Sequence, residues 1–128
     1  MATVDATPTA AGPDSASLSA AQTGNGQSTN VADRGGARGP ALLKITTTVG
    51  ATPTVTIAIE GSADGTNFFA IPYADSATPT TVAVATFAIT TATTVYKHLL
   101  ADYGWRYVRL TYSANTNVTS TVDVFTFA

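Results

Sequence analysis

The side chains able to do acid–base, nucleophilic or metal chemistry are few and scattered. His98 is the sole histidine, beside Lys97, and cysteine is absent. General acid–base catalysis needs partners that reach one substrate atom, and a lone imidazole without them reads as structural. Neither a Gly-x-Ser-x-Gly elbow nor a His-Glu-x-x-His zinc pattern occurs. The lack of cysteine removes disulfides and thiolate ligands. Asp64, Asn67 and Asp75 are oxygen donors of the kind calcium takes. Their spacing matches no EF-hand, and turn chemistry accounts for the same residues. The glycines at 24, 26, 35 and 36 follow no strand, which leaves a phosphate loop unsupported. Asn117-Val118-Thr119 is a glycosylation sequon, meaningful only in a secretory pathway. An enzyme is therefore the least expected reading, and no cofactor or metal is expected.

Composition narrows the partners. The chain has 128 residues, with six Lys and Arg against eight Asp and Glu, a formal net charge of −2. The cations Arg34, Arg38, Lys44, Lys97, Arg106 and Arg109 form no stripe, so nucleic acid is not an expected partner. No segment is long and apolar enough for a membrane helix. Met1-Ala2-Thr3-Val4-Asp5 has no basic start and no apolar run, so no signal peptide is expected. If the protein acts outside a cell, exit by lysis or inside an assembly is the expectation.

The elements that must position any site are written as alternation beyond residue 40. Leu43, Ile45, Thr47 and Val49 alternate with Leu42, Lys44, Thr46 and Thr48, and Gly50-Ala51-Thr52-Pro53 ends that run. Val55, Ile57 and Ile59 alternate with Thr54, Thr56, Ala58 and Glu60 as the next strand. Turn formers occupy 61–67. Phe68-Phe69-Ala70-Ile71 returns as a short strand that Pro72 confines to an edge. Val82 and Val84 are out of phase with Phe87 and Ile89, which implies a bulge or a break between two strands. Residues 91–100 mix a helical spacing of Tyr96, Leu99 and Leu100 with the β-branched run Thr93-Thr94-Val95, and read as a strand. Two runs, from Trp105 to Tyr112 and from Val118 to Phe127, flank Ser113-Ala114-Asn115-Thr116-Asn117 and predict a hairpin. The sum is an all-β domain over 41–128, an antiparallel β-sandwich of about seven or eight strands. So short a body buries only about 60–65% of its unfolded surface.

Residues 1–40 read differently. They are rich in Ala, Thr, Ser and Gly, broken by Pro8, Pro13 and Pro40, with few large apolar groups (Val4, Leu18, Val31). The expectation is a long irregular N-terminal arm, either a flexible tail or a segment ordered on a neighbour. Asp33 to Pro40 would be the hinge, with Arg34 and Arg38 free to pair with a partner's carboxylates and Val31 a contact beside them.

Function then rests on surfaces. Phe125 and Phe127 share a face with Thr119, Thr121 and Asp123, opposite Val118, Val122 and Val124. If the valines face the core, the two phenylalanines mark a contact, unless the arm covers them. Trp105 is either a core anchor or a ring exposed for stacking. With Tyr73 and Tyr103, also near loops, it forms the candidate aromatic set for a sugar ligand.

Two stretches resemble known domains. Ile59-Glu60-Gly61-Ser62-Ala63-Asp64-Gly65-Thr66-Asn67-Phe68 resembles the Ser-x-Asp-Gly-x-x-aromatic turn of discoidin-like (galactose-binding-like) sandwiches. Arg106-Tyr107-Val108-Arg109-Leu110 resembles a strand of the same group. A similar pairing recurs in small tailed-phage structural proteins, including head decoration (cement) proteins of jelly-roll type and tail-associated sandwiches. The resemblance covers 41–127. The chain is shorter than a discoidin domain and lacks its terminal cysteines, which favours the phage comparison. That comparison implies a bacteriophage protein on the virion's capsid surface. Its partners would be the major capsid protein and neighbouring copies of itself, as dimer or trimer, with Val31, Arg34, Arg38, Phe125 and Phe127 at the contacts. The alternatives it leaves are a glycan-binding module using Tyr73, Tyr103 and Trp105, and a minor tail or tail-tube component.

Overall fold

The structure, a computed structural model, describes residues 2–8, 14–37, 39–100 and 103–127. Among the described residues the chain is all-β, a single 11-stranded sheet that is mostly antiparallel. In chain order the strands are β1 (Ala2–Asp5), β2 (Asp14–Gln22), β3 (Gly26–Gln27), β4 (Asn30–Asp33), β5 (Ala41–Ser62), β6 (Phe69–Ala70), β7 (Tyr73–Asp75), β8 (Val82–Ala83), β9 (Phe87–Ile89), β10 (Thr93–Leu99) and β11 (Tyr107–Thr126). One parallel pair, β1 with β4, makes the sheet mixed.

Its frame is a two-stranded ribbon. β5 and β11 pair antiparallel from Tyr107 opposite Ser62 to Thr126 opposite Ala41. The two turn-rich segments read from sequence as strand ends lie opposite each other in the middle. There the register slips between Ser113 and Thr116, and again between Thr116 and Val118. Thr52, Ala114 and Asn117 take positive φ of 44°, 51° and 56°. The chain bulges there without reversing, so the expected hairpin at 113–117 is one strand with a kink. From sequence each long strand reads as two, because turn residues suit a bulge as well as a reversal. Pro53, which cannot donate to a ladder, falls inside the bulge where no donor is needed.

The kink divides the ribbon in two. In the β10 half, residues 41–49 and 118–126 are flanked by β2 and β10, with β7 and β8 beyond. In the β4 half, residues 55–62 and 107–113 are flanked by β3 and β4 on one side and β6 and β9 on the other. The same side of both strands faces inward throughout: Leu43, Ile45, Val55, Ile57 and Ile59 from β5, and Val108, Leu110, Tyr112, Val118, Val122 and Val124 from β11 are buried. Burying a side chain of this size contributes about 1.5–3 kcal/mol. Gly61 leaves room for two core side chains, since a Cβ there would come within 2.9 Å of both Ile71 and Trp105.

The first forty residues are not an irregular arm where they are described. They supply β1 to β4, and β2 alone pairs with β11 from Thr126 opposite Asp14 to Ser120 opposite Gln22. Ala6, Leu18, Val31 and Ala32 join the core. Composition misjudged this segment because its ordering entropy is offset by ladder bonds to an existing sheet as much as by its own apolar surface. The strand over 93–99 agrees with the reading of 91–100, and 82–89 resolves into two strands, β8 and β9.

Candidate interaction surfaces

Arg34, expected at a partner's carboxylate, is instead 4% exposed. Its Nε and Nη2 donate to the Trp105 carbonyl at 2.9 and 2.6 Å, and Nη1 donates to the Gly39 carbonyl. The guanidinium lies 3.8 Å from the centre of the Trp105 ring. The Trp105 indole N–H donates to the Leu100 carbonyl at 3.0 Å, and the residue is only 2% exposed. A fork of donors plus a flat cation is what arginine brings to a buried aromatic. Here it fastens the end of β4 to the start of β11. This corrects one expectation, since Arg34 is not presented to a partner. Of the two readings of Trp105 the structure takes the core anchor, whose ring offers no face to a sugar. Val31 is buried on β4. Arg38 lies outside the described residues.

Tyr73 is also used internally. It packs edge-on to Phe87 with ring centres 5.5 Å apart. The buried Lys97 places its Nζ 4.4 Å from the Phe87 ring centre and 2.6 Å from Asp75 Oδ2. That ammonium, together with the Ala77 N–H, holds the Asp75 carboxyl below the usual range. Burial, and then the Asp75 charge, push the Tyr73 phenol up. Asp64 accepts backbone N–H groups from Asn67 and Thr66 and side-chain donors from Asn67 and Ser62, which lower its pKa. Among the candidate calcium ligands, then, Asp64 and Asn67 satisfy each other in a turn while Asp75 holds a lysine. Among the described residues no three His, Cys, Asp or Glu side chains gather as metal ligands. Tyr103 is 44% exposed, the most open of the three candidate aromatics.

The outer faces of the two halves differ. On the β4 half, Arg106 grips Asp33 with two bonds of 2.8 and 3.1 Å. Those bonds hold the Asp33 carboxyl down and raise the Arg106 pKa. Arg109 donates to Glu60 at 2.9 Å, Thr111 donates to the same oxygen at 2.6 Å, and the guanidinium lies 3.9 Å from the Phe68 ring centre.

On the β10 half, register places residues in rows across the strands. Phe125, Leu42 and His98 form one row. Asp123, Lys44 and Tyr96 form the next, and Thr121, Thr46 and Thr94 the third. The valines of β11 face inward and Phe125 outward, as its alternation predicts, and Phe127 is 37% exposed. Alternation could assign each residue a face, but it could not bring His98 beside Leu42 and Phe125, because register depends on partners far away in sequence. At the end of this face a groove of about 340 Å³ opens between Pro40, Leu42, Pro79, His98, Leu100 and Phe127, with Ala41, Ala74 and Leu99 completing its wall.

No protein-family profile and no curated protein matches the sequence. Among solved structures, the fold is similar to that of the SPBc2 prophage-derived protein YomS, with a TM-score of 0.63 at 12% identity over 88% of this chain and 91% of that one. At that identity the likeness is one of fold, and the fold the chain shares is that of a prophage-derived protein.

Proposed function

We propose that the chain is a bacteriophage virion protein that decorates the head, binding the major capsid protein on the outer surface of the shell and stabilising it. The observation that carries this reading is the apolar groove beside Phe127. Its wall includes one titratable group, His98, and an exposed aromatic at its rim, a composition suited to docking against protein. The fold likeness to a prophage-derived protein and the resemblance to phage structural sandwiches support a phage setting. The other polar clusters are spent on holding the fold, as the Arg34, Lys97 and Asp64 contacts illustrate. We assign no enzymatic reaction, no cofactor and no nucleic-acid or membrane partner. Many copies on one shell would make modest individual affinity sufficient.

The burial of Trp105 removes the best stacking ring from the glycan-binding alternative. A test of the shell reading is co-sedimentation of the full-length chain with empty phage heads, comparing wild type with Phe127→Asp. Saturable binding by wild type, weakened tenfold or more by the substitution, is the expected result. No binding by wild type would overturn head decoration and turn attention to the tail. Equal binding by both would remove the groove from the contact. Deleting residues 1–40 is no substitute for this experiment, because it strips four strands from the sheet.

A further inference from the structure

The charged row on the β10 half is unusual for being unfinished. Lys44 and Asp123 are direct register partners and share the outer face. The ion pairs among the described residues are Lys97–Asp75, Arg106–Asp33 and Arg109–Glu60, and neither Lys44 nor Asp123 belongs to them. Both side chains are only partly exposed. To one side of them lies an apolar row, Leu42 with Phe125, and to the other a hydroxyl row, Thr46 with Thr121.

We infer that this face is a contact between two copies of the chain, related by a two-fold axis that runs along the β5–β11 seam in the plane of the interface. A rotation about that axis keeps each row at its level and exchanges the two strands. Lys44 of one copy then meets Asp123 of the other, twice by symmetry. Leu42 meets Phe125, and Thr46 meets Thr121. The other in-plane axis, across the strands, sets Lys44 against Lys44 and the apolar row against the hydroxyl row. Charge and polarity therefore select the same axis. Sheets stacked in this way pack with their strands within about 30° of each other. Four strands spaced about 4.8 Å apart and a run roughly 30 Å long give a face of roughly 600 Å² per copy, near the ~800 Å² per partner of a standard interface. A closed two-fold contact also covers a face that would otherwise leave Phe125 and Leu42 partly in water.

The inference goes beyond the shell reading; the groove at the end of this face shares Leu42 and His98 with it, while Lys44 and Asp123 lie outside the groove, so substitutions there test the dimer separately. The test is the molar mass of the full chain in solution by sedimentation or light scattering. Wild type is expected to be a dimer. Lys44→Asp and Asp123→Lys should each raise the dimer dissociation constant tenfold or more while leaving the far-UV spectrum unchanged. Mixing the two variants should restore dimers as a heterodimer, because one copy then carries both acids and the other both lysines. A wild-type chain that is monomeric at about 0.5 mM, single variants that dimerise as before, or a mixture that stays monomeric would each overturn the inference. Co-sedimentation of the monomeric variants with shells reports on the groove independently.

Discussion

The two halves of the β5–β11 ribbon share an inner face and part company on the outer one. In the β4 half the outward charges are matched at home: Arg106 with Asp33, and Arg109 with Glu60 and Thr111. In the β10 half Lys44 and Asp123 stand opposite each other without pairing, between an apolar row and a hydroxyl row. A face whose charges are satisfied in cis gains little by losing its water, since desolvation would cost what the pairs already supply. A face with complementary but unpaired charges has something left to gain from a partner. One ribbon thus carries both a finished surface and an open one, and substitutions can separate the two roles.

The largest effects belong to what the halves have in common. Leu43 in the β10 half and Leu110 in the β4 half are both fully buried in one cluster. Leu43→Ala and Leu110→Ala should each destabilise the chain by about 2–5 kcal/mol, in a single transition on urea denaturation. Two separate transitions, or one substitution without effect, would break the claim that the kink leaves one core.

Tyr112 tests the joint between the halves. It belongs to the β4 half, yet its hydroxyl is 3.0 Å from the Ser19 hydroxyl on β2, which flanks the other half. Burial raises its pKa from 10.0 to about 12 despite that hydrogen bond. The charged form is the one disfavoured in the fold. Between pH 10 and about 12 the unfolded chain loses this proton while the folded chain keeps it, so stability falls as pH rises. The expected loss is about 2–3 kcal/mol by pH 12. Tyr112→Phe should flatten that alkaline limb, and an unchanged limb would place the hydroxyl in water.

Arg109→Ala comes next, at about 1–2 kcal/mol. The Arg109 and Glu60 side chains are 17% and 23% exposed, so removing one partner leaves a charge partly out of water. Thermal melts at low and high salt would measure it, and a cost that vanishes in salt would mean the pair is solvated.

The same contrast explains what could be read from the sequence. Alternation put Val55, Ile57 and Ile59 on one face, and Val122 and Val124 on the face opposite Phe125, because parity along a strand is a local property; the structure shows the valine face to be the buried one. It could not tell the bulge at 113–117 from a hairpin, since the deciding fact is a second bulge at 50–53 on a strand some sixty residues away. The first forty residues misled for a related reason. β2, β3 and β4 pair on β11, which the chain supplies only after residue 106. Arg34 looked like a surface cation because its anchor, the Trp105 carbonyl, is likewise distant in the chain. The Lys44–Asp123 row is a fact of register, invisible to any reading of one strand at a time.

The smallest effect is the most telling one for the comparison. Lys44→Ala and Asp123→Ala remove no ion pair within the chain, so each should change monomer stability by less than about 0.5 kcal/mol, measured at a concentration below that of dimerisation. The β4-half equivalent, Arg109→Ala, costs more under the same conditions. Near-silence in the monomer is what makes these two positions diagnostic. Any larger stability loss that appears only as concentration rises must come from binding between copies, because mass action stabilises whichever state the partner recognises. A cost of the Arg109→Ala size that is present at every dilution would instead mean that Lys44 and Asp123 interact within one chain in solution, and the two outer faces would then differ in degree rather than in role.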